Sequence, residues 1–147
     1  MIKSYQIQKC KLVKEKNVKY ECETVNTPDV AVKVIRKHIA DETEEHVIAL
    51  ALNVAGEIIA LHEISHGGIA SAVVNPGDVL KRVLLNNATS FIIAHNHPSG
   101  NCKPSNADND LTMRMKSAAD IVGVPMVDHI IVTEKTSYSY KRDSDIL

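Results

Sequence analysis

The stretch SFIIAHNHPSGNCKPSNADNDL, residues 90–111, joins an apolar run to a polar loop and then to a new apolar pattern. Phe91 to His97 has the pattern of a buried strand that ends in polar residues, and Ser105 stands where a helix would begin. Ligands of α/β sheets bind beyond the carboxyl ends of strands, where loops converge. The stretch therefore predicts a strand, a loop and a helix, with a binding site at their junction.

Helices and strands alternate on both sides of this stretch. Helices are predicted over VAVKVIRKHIADE after Thr27-Pro28-Asp29, over NPGDVLKRVLLNNA and over NADNDLTMRMKSAADIVG. HVIALALN and EIIALHEISHGG flank the turn-like NVAGE as a hairpin, and MVDHIIVTE is a further strand. We therefore predict an α/β (α+β layered) domain, in which a mixed central sheet is flanked by helices.

The N-terminal residues differ from this pattern. Residues 4–13 and 18–25 favour strands and flank Lys14 to Asn17, which predicts a β-hairpin. We expect residues 1–26 to form a hairpin extension packed on a domain that spans 27–147. The edge strands of such a hairpin can pair between subunits, so a homo-oligomer is an open alternative.

Composition and charge give a nucleic-acid role little support. The 147 residues fit one domain with a sizeable core, and the formal net charge is −1. Six lysines fall in the first twenty residues, so a cationic patch would be local. Aromatic residues, which stack on single-stranded bases, are scarce: Tyr5, Tyr20, Phe91, Tyr138 and Tyr140.

Cysteine usage and hydropathy point to the cytoplasm. Cys10, Cys22 and Cys102 are odd in number, widely spaced and without a C-x-x-C pair, so they indicate neither a disulfide framework nor a four-cysteine zinc site. The N-terminus has no apolar segment of the signal-peptide kind, and the run VIALAL at 47–52 is too short to span a bilayer. We expect a cytoplasmic protein that does not enter the membrane.

The polar residues of the opening stretch suit a metal ion. His95 and His97 are two apart, so on a strand their side chains share a side, with Cα atoms about 7 Å apart. Asp108 could add a carboxylate oxygen and water a fourth ligand, which is the arrangement of a catalytic zinc. The alternative is structural, because Ser105 and Asp108 fit a capping box and a histidine at a strand end is usually a surface residue. Capping and metal binding are compatible in the same residues.

These positions carry a resemblance to a known superfamily. His95-x-His97, seven residues, Ser105, two residues and Asp108 match the H-x-H-x7-S-x2-D signature of the JAB/MPN (JAMM) metalloproteases. The fuller string HNHPSG…KPS…D, followed by GVPMVDHIIV, resembles the RadC branch, and the similarity runs from about Thr27 to Tyr140. It implies a JAB/MPN cytidine-deaminase-like fold with Zn²⁺ held by His95, His97 and Asp108. Residues 1–26 do not resemble the helix-hairpin-helix segment that RadC proteins often carry, so a DNA contact of that kind is in doubt.

The resemblance also implies a catalytic role for two residues. The superfamily pattern includes an upstream glutamate, which we place at Glu63 in IIALHEISHGG. Glu63 would accept a proton from a zinc-activated water and deliver it to the leaving amine. Ser105 would donate a hydrogen bond to the tetrahedral oxyanion. The alternative interpretation of Glu63 is an exposed strand residue.

Five more residues are candidates of lower rank. Asp128 and His129 resemble a family feature and could orient a ligand imidazole, although a structural pair at a strand end fits them equally. His62 and His66 flank Glu63, and ligand duty is the less favoured role for both. Cys102 lies between His97 and Ser105, where its thiol either approaches the zinc or is exposed to solvent.

Three classes of function follow. We favour a zinc-dependent hydrolase of a peptide or isopeptide bond, whose peptide or protein substrate the sequence does not identify. The second is an accessory protein of DNA repair or of a mobile element, which binds nucleic acid or a repair partner and has structural zinc. The third is a noncatalytic scaffold, against which the presence of all five motif positions argues.

Overall fold

A central sheet of five strands organises the chain in the computed structural model, which describes Gln6, Lys9 and residues 11–19, 24–67 and 74–147. In chain order the elements are α1 (Pro28–Ile39), β1 (His46–Leu52), β2 (Ile58–His66), α2 (Pro76–Leu85), β3 (Ser90–Asn96), α3 (Asn106–Val122), β4 (Met126–Val132), β5 (Ser137–Ser139) and α4 (Tyr140–Asp143).

The sheet is mixed and has the order β2-β1-β3-β4-β5. β3 pairs parallel with β4, and the other neighbouring strands pair antiparallel. Buried side chains of β1, β3 and β4 alternate between two core clusters. One cluster packs under α1, and the other packs under α2 and α3. Both faces of the central strands are therefore covered, which confirms the layered architecture predicted from the sequence.

Local sequence signals set the ends of the helices. Thr27 caps α1 and Asn75 caps α2, and each helix has proline in its first turn. Ser105 caps α3, which ends at Gly123 with a φ of 79°, a left-handed conformation that glycine adopts without strain. These caps place the start of α3 at the carboxyl end of β3, where the polar loop ends.

The remaining predictions have different outcomes. The hairpin of β1 and β2, the three helices and the strand at β4 are confirmed. Much of the predicted N-terminal hairpin lies outside the described residues, and residues 11–19 belong to no helix or strand. The short β5 and α4 were not predicted. Within the described ranges, no helix has both the length and the apolar character needed to cross a membrane.

Candidate metal centre

Two imidazoles face one buried space at the carboxyl end of β3. His95 is the penultimate residue of the strand and is fully buried, and His97 follows the end of the strand. Their side chains share a face because residues two apart on an extended chain point the same way. The Nε2 atoms of the two rings lie 3.0 Å apart. The structure therefore brings the two predicted histidines together.

Asp108 approaches the two rings from the first turn of α3. Ser105 Oγ accepts a hydrogen bond from the Asp108 N–H, and the Asp108 carboxylate accepts one from the Ser105 N–H, which completes a capping box. Asp108 is fully buried, with Oδ1 3.1 Å from Nε2 of His95 and Oδ2 3.5 Å from Nε2 of His97. The capping box and the contact with the histidines thus occur in the same residue.

The chemistry and spacing of these donor atoms fit a zinc ion. Zinc binds imidazole nitrogen and carboxylate oxygen at about 2.0–2.2 Å, which sets tetrahedral ligands about 3.3 Å apart. The separations of 3.0 Å and 3.1 Å lie close to that value. Oδ1 of Asp108 has no hydrogen-bond partner, so it is close to His95 without being aligned for a hydrogen bond. A cation would satisfy this buried oxygen, which is costly to leave unpaired.

A fourth donor comes from the residue that precedes β1, which the sequence pattern did not single out. One carboxylate oxygen of Glu45, Oε1, lies 4.0 Å from Nε2 of His95 and is also buried without a hydrogen-bond partner. The donor atoms of Glu45, His95, His97 and Asp108 all lie within 4.8 Å of one another. Strand alternation is the sequence signal that could have identified Glu45. Glu45 is two residues before Val47, which pairs with His95, so the glutamate and histidine side chains lie on one face.

Glu63, the glutamate expected at the site, lies on the opposite face of the sheet. It pairs with Ile48, which packs under α1, whereas His95 lies on the face covered by α2 and α3. The half-exposed Glu63 carboxylate instead lies 2.8 Å from Nδ1 of His66 and 3.6 Å from Nδ1 of His46. The structure therefore does not bring Glu63 to the two buried histidines, and its placement agrees with the alternative interpretation as an exposed strand residue.

A buried chain of hydrogen bonds orients the ring of His95. Thr112 Oγ1 donates its single proton to the Asp108 carbonyl at 2.6 Å and therefore accepts from Nδ1 of His129 at 2.6 Å. Burial holds the pKa of His129 well below its ordinary value, so the ring is neutral. Its Nε2 then accepts from Nδ1 of His95 at 2.9 Å. Nδ1 of His95 is thereby occupied and Nε2 faces the site, which is the orientation that a metal ligand requires.

The surroundings of His97 also direct its Nε2 toward the site, and they favour the protonated, positively charged form of the ring. Its Nδ1 donates to the Asn101 carbonyl at 2.8 Å, which leaves Nε2 facing the site. The neighbouring Asp108 carboxylate raises the pKa of His97. Burial pushes the pKa of Asp108 upward, but the adjacent imidazoles of His95 and His97 outweigh burial and hold that pKa far below its usual range. Either a proton or a metal cation is therefore drawn into this space.

Asp128 does not share the environment of His129. It pairs with Ile92 on the face under α1, and its carboxylate accepts from the Ser139 hydroxyl at 2.6 Å and from the Lys141 N–H at 3.1 Å. Burial raises the pKa of Asp128. Only His129 of the predicted pair contacts a metal-site histidine.

The remaining candidates also lie outside the group of four donors. Nε2 of His62 lies 2.6 Å from the side-chain nitrogen of Asn86, and His66 contacts Glu63. Cys102 is a half-buried free thiol in the loop before α3. None of the three is among the side chains that converge on the site in the described residues.

Comparison with known proteins gives one family and several relatives. Residues 25–145 match the family described as RadC-like JAB domain. The UPF0758 protein of Haemophilus ducreyi is 38% identical over 122 residues, which cover 83% of this chain and 55% of that protein. The UPF0758 protein of Actinobacillus pleuropneumoniae serotype 5b is 36% identical over 121 residues, which cover 82% of this chain and 55% of that protein. This chain spans about half the length of these curated relatives.

The family match covers most of the chain, and it contains the layered sheet together with the H-x-H, serine and aspartate positions. The relatives cover the same share of the chain at identities of 38% and 36%. The chain therefore belongs to the RadC-like JAB domain family.

Proposed function

We propose that this chain is a zinc-dependent hydrolase that cleaves an amide bond of a peptide or isopeptide with a metal-activated water. One observation carries the proposal. Oδ1 of Asp108 and Oε1 of Glu45 are buried without hydrogen-bond partners near Nε2 of His95, and Nε2 of His97 lies 3.0 Å from that nitrogen. His95, His97 and Asp108 would hold the ion, and one coordination position would remain for water or substrate. Membership of the JAB family supports a metal-dependent role.

Glu45 is the side chain best placed to carry protons. A zinc ion bound at the site would supply a Lewis acid and lower the pKa of a water molecule toward neutrality. Oε1 of Glu45 lies 4.0 Å from Nε2 of His95, more than the roughly 3.3 Å between tetrahedral ligands, so it lies beside the ligand set. Glu45 accepts a proton from the attacking water and delivers it to the leaving amine, without a covalent enzyme intermediate. This role passes from Glu63 to Glu45 because Glu63 lies on the other face.

Ser105 is the candidate donor to the tetrahedral oxyanion. It is exposed at the start of α3, next to the buried carboxylate of Asp108. Its hydroxyl donates to Oδ2 of Asp108 at 2.7 Å, so it must rotate away from that oxygen to donate to substrate. Loss of one such donor typically raises the barrier by about 2.7–4 kcal/mol.

The test compares the two glutamates on the two faces. Zinc-loaded wild type, Glu45→Gln and Glu63→Gln are assayed against a panel of peptide and isopeptide substrates, with the zinc content of each protein measured in parallel. Glu45→Gln is expected to retain zinc and to lower kcat about 10²- to 10⁴-fold, because general acid–base catalysis typically contributes that much. Glu63→Gln is expected to match wild type.

Two results would contradict the proposal. Loss of hydrolysis in Glu63→Gln with full activity in Glu45→Gln would return the proton-transfer role to Glu63. A zinc-loaded wild type that cleaves no substrate of the panel would favour structural zinc in a protein that binds nucleic acid or a repair partner.

A further inference from the structure

Asn96 stands between the two metal-site histidines and faces away from them. It is only 1% exposed, and strand alternation directs its side chain to the face of the sheet opposite His95 and His97. The proposed mechanism gives it no part. A buried asparagine must nevertheless find partners for two N–H groups and one carbonyl oxygen, because unpaired polar groups are costly in the core.

The partners of Asn96 are three backbone groups at the start of β1 and just before it. Its Nδ2 donates to the Glu44 carbonyl at 2.9 Å and to the Glu42 carbonyl at 3.3 Å. Its Oδ1 accepts from the His46 N–H at 2.6 Å. These three bonds use both amide protons, and they determine the orientation of the amide because a carbonyl can only accept and an N–H can only donate.

The residue enclosed by these three bonds is Glu45. Its own carbonyl accepts from the Gly67 N–H at 2.9 Å, so its backbone is tied to β3 through Asn96 and to the end of β2 through Gly67. Oε1 of Glu45 has no hydrogen-bond partner. The position of this oxygen is therefore set by the backbone that carries it.

We infer that Asn96 is a positioning residue that holds residues 42–46 against the end of β3 and thereby keeps the Glu45 carboxylate beside the metal centre. The catalytic consequence of this inference rests on the proposed function. Alternation along one strand thus serves two purposes, since His95 and His97 supply ligands on one face and Asn96 holds the proton carrier from the other. Aspartate at this position would have no donor and would set a carboxylate against two carbonyl oxygens.

The first experiment measures the position of Glu45 without a substrate. Co²⁺ is bound to protein with ¹³C-labelled glutamate, and the paramagnetic relaxation of the Glu45 carboxyl carbon, which falls steeply with distance, is compared with that in Asn96→Asp. The Glu45→Gln variant assigns the signal. In Asn96→Asp we expect Co²⁺ to bind with unchanged stoichiometry while the relaxation of the Glu45 carbon falls severalfold.

Asn53→Asp is the matched control. Asn53 also bonds to the backbone of an adjoining loop, because its Oδ1 accepts from the Ala55 and Glu57 N–H groups at 3.0 Å each, but it lies at the opposite end of β1. The Asn53→Asp variant should leave the relaxation of the Glu45 carboxyl carbon at its wild-type value. Asn96→Ser, whose hydroxyl can still donate one bond and accept another, should give an intermediate effect and replaces Asn96→Asp if the latter does not fold.

Hydrolysis supplies a second readout that a purely structural role would not produce. Asn96→Asp should lower kcat about 10²-fold with little change in KM, because a displacement near 1 Å can cost that much. In a Glu45→Gln background the same substitution should change kcat little, since the group it positions is already absent.

The outcomes separate this inference from the proposed function. Equal relaxation of the Glu45 carbon in wild type and Asn96→Asp would overturn the positioning role, as would a full loss of kcat in the Glu45→Gln background. A wild type that binds Co²⁺ but hydrolyses nothing would overturn only the proposed function, because the cobalt measurement still reads the position of Glu45. A wild type that binds no Co²⁺ would overturn both.

Discussion

Two groups of histidine and carboxylate side chains lie at the same end of the sheet, on opposite faces. The buried group consists of Glu45, His95, His97 and Asp108, and its donor atoms converge within 4.8 Å. The surface group consists of Glu42, His46, Glu63 and His66, in which the His46 and His66 rings stack with centroids 5.5 Å apart. Each group has two imidazoles and two carboxylates, and the groups differ in burial and in the pairing of their oxygens.

This difference distinguishes the candidate metal centre from a surface ion-pair cluster. In the surface group, Glu63 has a histidine nitrogen near each of its carboxylate oxygens, and half of its side chain faces solvent. In the buried group, one oxygen of Glu45 and one of Asp108 remain without hydrogen-bond partners. Imidazole nitrogens lie near both carboxylate oxygens of Glu63, whereas a bound cation would satisfy the two unpaired oxygens of the buried group. Removing side chains from the buried group should therefore abolish metal binding, whereas removing them from the surface group should leave it unchanged.

The largest effect is expected for metal content. Wild type purified without added metal should contain about one zinc per chain, as a single tetrahedral site holds one ion. His97→Ala and Asp108→Ala should lose it, and the double variant His46→Ala/His66→Ala should retain it. Elemental analysis of the four proteins measures this directly. Zinc retained in both single variants but lost in the double variant would assign the metal to the surface group.

A smaller effect is expected for the hydrogen bond that orients His95. His129→Gln removes the ring that accepts from Nδ1 of His95, and loss of such an outer partner typically lowers metal affinity about 10- to 100-fold. Zinc affinity can be measured by competition with a chromogenic chelator. Asp128→Asn is the matched control, because Asp128 is buried on the same strand but faces α1. Equal losses in the two variants would indicate a general effect of disturbing β4.

Two residue pairs of this candidate centre could be predicted from the sequence, because the members of each pair are close along the chain and their relative placement depends on local geometry. His95 and His97 share a side through strand alternation, and Ser105 and Asp108 are fixed to each other by the capping box. The layered fold followed in the same way from apolar periodicity and helix caps. The short β5 and α4, with three and four residues, are too short to show periodicity.

The part that could not be predicted depends on pairing between strands distant in sequence. Glu45 reaches the site because β1 lies beside β3, and the resemblance alone placed the glutamate at Glu63. The register between β1 and β2 shifts between Val47 and Ile48, so counting residues along β2 does not give the face of Glu63. His129 likewise reaches His95 only through the parallel pairing of β3 with β4.

Metal binding at the buried group is expected to depend on pH. The Asp108 carboxylate raises the pKa of His97 above the ordinary histidine value, so in metal-free protein His97 is still protonated at and just above that value. Zinc must displace this proton below the raised pKa, so its apparent affinity should fall at least about tenfold per pH unit as the pH decreases. Titration with zinc from about pH 8 to pH 5.5 measures the slope. An affinity that does not change over this range would contradict a proton held by His97.

The smallest effect is expected for the stability of α3. Ser105→Ala removes the hydroxyl that accepts from the Asp108 N–H at 3.2 Å, and loss of such a cap typically lowers the free energy of unfolding by about 1 kcal/mol. Ser117→Ala, in the interior of the same helix, should change it by no more than about 0.5 kcal/mol. Urea unfolding of the metal-free proteins measures both. Ser105 also donates to Oδ2 of Asp108, so zinc content is measured alongside kcat. A loss of kcat in Ser105→Ala of 10²-fold or more, about 2.7 kcal/mol in barrier, with unchanged zinc content would be attributed to the oxyanion hydrogen bond. A loss of kcat no larger than the loss of stability would leave Ser105 with its capping role alone.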